Sequence, residues 1–254
     1  MLPAEVPPSD SLTGRVRPVA ELTDAEIDAM WELFSRFYAD VTRDLFAKDL
    51  APKHHVIWLS TRSGELAGFS TLEVMRCSLG GRRIVALYSG DTIVDARFWG
   101  QRALHRAFYG YAMALKLRHP LTPVYWFLIT KGYKTYLLLT RNFPEHWPRH
   151  DRPTPEWQQA LLDELATRRF GTDYERERGL LRHAGRGLGR LSESVAPIDA
   201  QLAEDPDVRF FLERNPRWAD GDELCCLGRI GASLTLRFGR KQLARTVRRA
   251  RPPL

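Results

Sequence analysis

One segment, residues 84–108, joins a strand-like run to an amphipathic helical run through a single glycine. Its first part, IVALYSGDTIV, is rich in β-branched and apolar residues, which predicts a covered strand. After Gly100 the apolar residues recur at helical spacing, at Ala103, Ala107, Phe108 and Tyr111. A strand that leads into a helix through a short loop leaves free backbone N–H groups at the positive end of the helix dipole. The segment therefore predicts an α/β unit with a place suited to a phosphate group.

The loop in this segment carries a motif. Residues 94–104 read VDARFWGQRAL, and they resemble the acyl-CoA-binding motif V-D-P-x-Y-R-G-x-G-x-G/A of the GNAT superfamily of acyltransferases. The valine, the aspartate, the aromatic residue and the first glycine match. Arg102 and Leu104 stand where the family has small residues that let the backbone approach the cofactor pyrophosphate. The resemblance implies a GNAT-like fold, and these two side chains imply that the loop holds a CoA pyrophosphate differently or not at all.

The other patterns up to residue 143 follow the order of elements of that family. Thr23 and Glu26 form a capping box, which predicts the start of the first helix. Two glycine turns, at residues 63–64 and 80–81, separate three strand-like runs and predict an antiparallel meander. The predicted order is a strand over 15–20, a helix from Thr23, a short helix around 42–48, the meander, a helix from Gly100 to about Leu117, the strand TPVYWFLIT and a helix over 131–140. We therefore predict an α/β protein of the α+β type, with a GNAT-like, mostly antiparallel mixed sheet flanked by helices and a C-terminal extension.

The chain divides into four parts by composition and pattern. Its 254 residues suffice for one large domain or for one domain with an appendage. In the second half, Thr154 and Pro155 predict a helix start, residues 171–200 predict a long loop or lid, DPDVRFFLERN predicts a short helix, and DELCCLGRI predicts a late strand that could complete the sheet. The predicted parts are a flexible arm (1–13), a GNAT-like core (14–143), a helical and loop extension with a late strand (144–231) and a basic amphipathic tail (232–254).

The net charge is concentrated at the C-terminus. The stretch 237–251 has seven basic residues and no acidic one, so it accounts for the whole net charge of +7. Apolar residues lie between the arginines, and such a helix could bind an anionic membrane surface or an acidic carrier protein, or it could be a disordered, solubilising end. The formally neutral remainder and the lack of a recognition motif disfavour nucleic acid as a partner.

The apolar runs, the N-terminus and the cysteines indicate the cellular compartment and whether the protein binds a metal. No apolar run approaches the roughly 18–20 residues of a membrane-spanning helix, and the proline-rich N-terminus is not a secretory signal. Three scattered cysteines form neither a disulfide framework nor a zinc site, and no cluster has metal-ligand spacing. We therefore expect a cytoplasmic protein without a metal, either free or peripheral to a membrane.

The resemblance implies a set of donor-binding residues in the loop and its flanks. Arg97 and Arg102 could neutralise phosphate charge that the missing glycines no longer reach through backbone amides, or they could be solvated residues at a helix start. Lys131 and Lys134 could also contact a phosphate, or they could be surface lysines. The predicted donor site consists of Val94, Arg97, Trp99, Gly100, Gln101, Arg102 and Ala103.

Two carboxylates are candidates for the group that takes the proton of the acceptor. Asp91 aligns with an acidic position that is frequent near this strand in the family, although Ser89-Gly90-Asp91 could instead mark a β-bulge whose aspartate binds backbone amides. Glu73 lies in the neighbouring strand. If it faces a cleft, its pKa should be raised and it could act as a base; if the strand alternates simply, it faces water.

The residue that would protonate the leaving thiolate is less well defined. Residues 124–143 resemble the late family segment N-x-x-A-x-x-L-Y-x-x-x-G-F, but Leu138 occupies the position of the tyrosine that in the family protonates the leaving thiolate. Tyr136 is a nearby substitute, although a helical tyrosine is also typical of a core. The predicted catalytic set is therefore Asp91, Glu73 and Tyr136.

Together these features predict an acyltransferase. It would move an acyl group from acyl-CoA or an acyl carrier protein (an acyl-phosphopantetheine donor) to a small amine or hydroxyl acceptor by direct attack, because no motif for a covalent nucleophile is present. The alternative is a GNAT-like binding module whose catalytic apparatus has decayed. An open cleft with Asp91 or Glu73 inside favours the enzyme, and a cleft filled by Phe98, Trp99 or Arg102 favours the module.

Overall fold

The N-terminal part of the chain forms two short strands and two helices. The structure is a computed structural model that describes residues 11–39, 41–182, 190–191, 200–231 and 234. The elements are β1 (Thr13–Pro18), α1 (Asp24–Ser35), β2 (Tyr38–Ala39) and α2 (Arg43–Leu50). The Thr23 N–H donates to the Glu26 carboxylate over 2.9 Å and the Glu26 N–H donates to the Thr23 hydroxyl over 3.3 Å, so the predicted capping box is confirmed.

A meander of three antiparallel strands follows. It consists of β3 (His55–Ser60), β4 (Leu66–Leu79) and β5 (Arg82–Val94). Positive φ angles of 91° at Gly64, 55° at Gly80 and 75° at Gly81 make the two turns possible. Both predicted hairpins are therefore confirmed.

The remaining elements complete the main sheet and its helical cover and add a strand that pairs with β2. They are α3 (Ala103–Arg118), β6 (Val124–Thr130), α4 (Tyr133–Asn142), β7 (His146–Trp147), α5 (Glu156–Phe170), β8 (Tyr174–Glu175), β9 (Leu180–Leu181), β10 (Arg190–Leu191), α6 (Ala200–Ala203), α7 (Pro206–Arg214) and β11 (Glu223–Ile230). The strand order is β1-β3-β4-β5-β6-β11-β9-β8, with β7 beside β11 and β10 paired with β2. In that sheet β5 and β6 run parallel and the other pairs are antiparallel. The predicted fold class, a mostly antiparallel mixed sheet flanked by helices, is confirmed.

Details of the predicted extension differ from the structure. The late strand predicted from DELCCLGRI is β11, and it joins the sheet by pairing with β6. The first helix of the extension starts one residue later than predicted, because Pro155 is its N-cap and no side chain caps it. Part of the predicted loop is instead a hairpin, β8–β9. Residues 183–189 and 192–199, and the tail 232–254 apart from Leu234, lie outside the described residues, as does most of the arm.

Three apolar clusters fix the layers. On one face of the sheet, Leu72, Leu87 and Trp126 pack with residues of α3, α4 and α7. The other face has two clusters, one under α1 and α2 and one under α5. Leu12, in the predicted arm, is 4% exposed and belongs to the first cluster. None of the helices in the part of the chain that the structure describes has the length and apolar character needed to cross a membrane.

The parallel strands β5 and β6 pair over only part of their length. Their register runs from Val85 opposite Val124 to Ser89 opposite Leu128. Both strands continue beyond the last pair, β5 to Val94 and β6 to Thr130. The ends of the two strands therefore part and leave a gap in the middle of the sheet.

Two glycines test how tightly the sheet is packed. A Cβ on Gly68 would lie 2.6 Å from the backbone oxygen of Ile93, whereas a Cβ on Gly110, in the middle of α3, would meet nothing within 4 Å. We expect Gly68→Ala to lower the free energy of unfolding by about 1–3 kcal/mol, because the backbone must move. We expect Gly110→Ala to raise it by up to about 1 kcal/mol through helix propensity. Urea denaturation of both variants checks this; equal effects would contradict the packing around β4.

Candidate functional site

A cavity of about 490 Å³ lies where β5 and β6 part. Its walls come from both faces of the sheet. Phe98, Phe108 and Trp126 belong to the cluster under α3, whereas Tyr38 and Ile93 belong to the cluster under α1 and α2. The cavity therefore passes between the two strands, and molecules bound on opposite faces of the sheet could meet inside it.

Charged and polar side chains gather at one end of the cavity. Asp91 comes from β5, Lys131 follows β6, and Glu223 begins β11. The Lys131 ammonium lies 3.3 Å from a Glu223 carboxylate oxygen and 5.1 Å from the ring centroid of Tyr38. Burial, then the negative charges of Asp91 and Glu223, raise the pKa of the Tyr38 hydroxyl well above its usual range, so this hydroxyl keeps its proton.

A β-bulge places Asp91 at this end. Ser70 pairs with Thr92 and Leu72 pairs with Ser89, so two residues of β5, Gly90 and Asp91, lie opposite one residue of β4. The bulge that the Ser-Gly-Asp sequence suggested is therefore present. The bulge is also compatible with Asp91 as the group that takes the proton of the acceptor, because the residue lines the cavity.

The surroundings of Asp91 bring the pKa of its carboxyl group close to neutral pH. Burial, followed by the negative charge of Asp49, raises its pKa to about 7, against the opposing effects of Lys53 and Lys131. A general base works best when its pKa lies close to the working pH. The bulge and its charged surroundings thus supply a group that can accept a proton inside the cavity.

The other end of the cavity is formed by the loop before α3. Gly100 has a φ of 87°, which suits glycine, and it opens the turn into the helix. The Gln101 side-chain oxygen accepts a hydrogen bond from the Leu12 N–H at 2.9 Å, and the Trp99 indole N–H donates to the Val94 carbonyl at 2.8 Å. These contacts hold the loop in place beside the first N–H groups of α3, which lack helical partners.

The structure separates the predicted donor-site residues into two groups. Val94, Trp99, Gly100 and Gln101 line the cavity. The other three do not: Arg97 forms ion pairs with Asp95 (2.9 Å) and Glu65 (2.7 Å), Arg102 is exposed at the N-cap of α3, and Ala103 is packed in the core. The charge of Arg97 is therefore already compensated within the protein.

Two of the three predicted catalytic residues lie outside the cavity walls. Glu73 forms an ion pair with Arg169 of α5 at 3.0 Å and faces neither the cleft nor open water. Tyr136 is fully buried, and its hydroxyl donates to the Pro148 carbonyl at 3.0 Å. Burial raises the pKa of this hydroxyl well above its usual range. Of the predicted set, only Asp91 lines the cavity.

Sequence reasoning did not identify several lining residues as part of the site. Glu223 and Tyr38 come from segments far from the motif, and only the position of Glu223 at the start of a late strand hinted at its place. His105, one turn into α3, has a buried Nδ1 atom with no hydrogen-bond partner among the described residues. Burial and the nearby Arg102 lower its pKa, so the ring is neutral and able to bind a polar group. Lys134, by contrast, was already a candidate for a phosphate contact; it lines the cavity, and its ammonium lies 5.2 Å from the Trp99 ring centroid.

Comparison with known proteins gives partial similarities of fold. No protein-family model matches the chain, and no curated protein matches it. A solved acyl-CoA N-acyltransferase from Pseudomonas aeruginosa is 20% identical, with a TM-score of 0.39, over 52% of this chain and 86% of that one. A GNAT family N-acetyltransferase from Escherichia coli, in complex with CoA, is 14% identical, with a TM-score of 0.36, over 52% of this chain and 68% of that one.

A third solved structure is a conserved protein of unknown function from Enterococcus faecalis V583, described as a probable N-acyltransferase. It is 16% identical, with a TM-score of 0.38, over 55% of this chain. The chain spans 37% of the length of that protein. Each of these similarities covers only about half of this chain.

The Tyr136 hydroxyl should have a structural effect that can be measured without a substrate. We expect Tyr136→Phe to lower the free energy of unfolding by about 1 kcal/mol, because the buried Pro148 carbonyl loses its donor. Tyr125→Phe is the matched control, since that tyrosine is also buried but its hydroxyl binds nothing among the described residues. Urea unfolding of the two variants is the measurement, and an unchanged stability of Tyr136→Phe would argue against the hydrogen bond.

Proposed function

We propose that the protein is an acyltransferase that moves an acyl group from a thioester donor to a small amine or hydroxyl acceptor. The observation that carries this proposal is the cavity between the parted strands, with a carboxyl group of pKa about 7 at one end and the N-terminus of α3 at the other. A volume of about 490 Å³ lies within the usual range of ligand sites, about 300–1,000 Å³. Donor and acceptor would meet where the strands part.

The loop end is the place for the donor. The first N–H groups of α3, which have no partner within the helix, and the dipole of α3 favour the phosphates of CoA or of the phosphopantetheine arm of an acyl carrier protein. Positive charge would come from Lys134, which lines the cavity, and from Arg102, which is exposed beside it, rather than from Arg97. The apolar walls of the cavity, including Leu104 and Phe108, suit the phosphopantetheine arm and the acyl chain of the donor.

The polar end is the place for the acceptor. It has two carboxyl groups, Asp91 and Glu223, and one ammonium group, Lys131, so it favours an amine over a neutral hydroxyl. The acceptor atom attacks the thioester carbonyl, a C–N or C–O bond forms, and the C–S bond breaks. Asp91 accepts the proton that the acceptor loses and later releases it to solvent, while the thiolate leaves and takes a proton from solvent.

One observation favours the second candidate, a binding module without catalysis. The Trp99 indole N–H donates a hydrogen bond to the Val94 carbonyl, a backbone group at the gap between the strands. A bound phosphopantetheine arm could otherwise use this carbonyl. Trp99 is 47% exposed and lines the cavity together with Phe98, yet the volume of about 490 Å³ remains beside them. The enzyme and the binding module differ in one measurable result: only the enzyme consumes a thioester.

Removal of the Asp91 carboxylate should test its role as the base. We expect Asp91→Asn to lower kcat by 10²–10⁴-fold, the usual contribution of a general base. In the unsubstituted protein kcat/KM should rise with pH through about 7, because only the ionised form of Asp91 accepts a proton, and this rise should be absent in the variant. Asp44→Asn, an exposed aspartate of α2, is the control.

The choice of donor needs its own experiment. The full-length protein is incubated with acetyl-CoA, long-chain acyl-CoA or acyl carrier protein and with a panel of amines and alcohols, and free thiol is measured. We expect acceptor-dependent thiol release with at least one donor. Tight binding of a donor without thiol release for any acceptor would favour the binding module, and neither binding nor release would reject both candidates.

A further inference from the structure

A buried serine lies at the point where β5 and β6 part. Ser89 forms the last pair between the two strands, opposite Leu128. Its side chain lines the cavity, although the residue is only 8% exposed. Ser89 therefore stands at the apex of the gap, where a donor from one side and an acceptor from the other would meet.

A tryptophan on the neighbouring strand fixes which hydrogen-bonding role is left to this serine. The Trp126 indole N–H donates to the Ser89 hydroxyl oxygen over 2.8 Å. An indole N–H can only donate, so the serine oxygen is the acceptor of this bond and its own O–H proton is left to be donated elsewhere. In the described part of the chain the Ser89 side chain makes no other hydrogen bond. A hydroxyl group that already accepts a hydrogen bond is also a stronger donor.

Three other hydroxyl groups of the cavity wall use their protons within the protein. The Thr92 hydroxyl donates to a backbone carbonyl of the bulge over 3.1 Å, so the 2.7 Å bond between Thr92 and Ser70 is donated by Ser70. The Thr130 hydroxyl donates to a backbone carbonyl over 2.6 Å. Each hydroxyl group has a single proton. Of these four groups, Ser89 is the one that can donate to a bound molecule.

The bulge sets Ser89 and Asp91 to work from different sides of the sheet. Leu87, before the bulge, packs under α3, whereas Ile93, after it, packs under α1 and α2. In a regular strand these two residues would share a face, because side chains alternate with a period of two. Ser89 keeps the face of α3, and Asp91 stands where the strand changes faces. Their Cα atoms are at most about 7 Å apart, so both side chains can reach one reacting centre in the gap.

We propose that Ser89 is a catalytic residue that donates a hydrogen bond to the carbonyl oxygen of the thioester, an inference that rests on the proposed function. The acceptor atom attacks the carbonyl carbon, and the electron pair of the C=O bond moves to the oxygen. The Ser89 O–H stabilises this negative charge and keeps its proton. The C=O bond then forms again as the C–S bond breaks, and Asp91 takes the proton that the acceptor loses. Because the charge develops only during the reaction, the serine should contribute to kcat and little to KM.

Removal of the hydroxyl group tests this role. We expect Ser89→Ala to lower kcat by about 10²–10³-fold, the usual effect of losing one donor to an oxyanion, with the KM for the donor nearly unchanged. The measurement is thiol release by the full-length protein with the donor and acceptor that give the fastest reaction. We expect Ser89→Thr, which keeps the hydroxyl group, to retain most of the parent kcat.

Thr61→Val is the matched control for the loss of a buried hydroxyl group. Thr61 is 6% exposed and accepts a hydrogen bond from the Glu65 N–H over 3.1 Å, just as Ser89 accepts one from Trp126. It lies in the turn between β3 and β4 and does not line the cavity. Both variants leave one N–H without its acceptor, so both should unfold at lower urea concentration than the parent. Only Ser89→Ala should lose kcat.

The possible results separate this role from the proposed function. A parent kcat in Ser89→Ala, or an equal loss in Thr61→Val or Ser89→Thr, would overturn the role of Ser89 and leave the proposed function intact. No thiol release by the parent with any donor would reject both. If Ser89→Ala does not fold, the same change is made together with Trp126→Phe, which leaves no indole N–H unpaired. The double variant should then have a kcat about 10²-fold below that of Trp126→Phe alone, and equal values would reject the role.

Discussion

The early end of the pairing between β5 and β6 is the constraint on which the rest of the structure depends. The two strands are hydrogen-bonded from Val85–Val124 to Ser89–Leu128 and then part. A parallel pair in the middle of a sheet normally leaves no space for a ligand, because both faces are covered. The bulge at Gly90–Asp91 turns β5 away at this point. It therefore opens the gap and places a carboxyl group in it.

Such a carboxyl group needs charged neighbours to be held in place. Burying an acid without partners is costly, and removing one member of a buried ion pair costs more than the pair contributes. Here Asp49, Lys53 and Arg169 form the supporting layer below Asp91. Because Arg169 belongs to α5 and Glu223 to β11, the extension completes both the support and the wall of the cavity.

The sequence predicts well what short-range signals determine. The glycine turns and the Thr23–Glu26 capping box depend on neighbouring residues, and all are present in the structure. It predicts poorly which side chains meet across long distances. Glu73 was a candidate base because its strand is apolar, but its partner Arg169 lies in a helix whose docking no local pattern shows.

The loop before α3 is held in place by contacts within the protein before any ligand binds. Contacts to Leu12, Val94, Asp95 and Glu65 hold the loop. A loop that is already ordered loses little conformational freedom when a ligand binds. However, Arg97 of this loop is already paired with Asp95 and Glu65, and the Val94 carbonyl at the end of β5 already accepts a hydrogen bond from Trp99. If the proposed function holds, the thioester donor gains its polar contacts from α3 and Lys134, or it displaces the Trp99 indole to reach the strand.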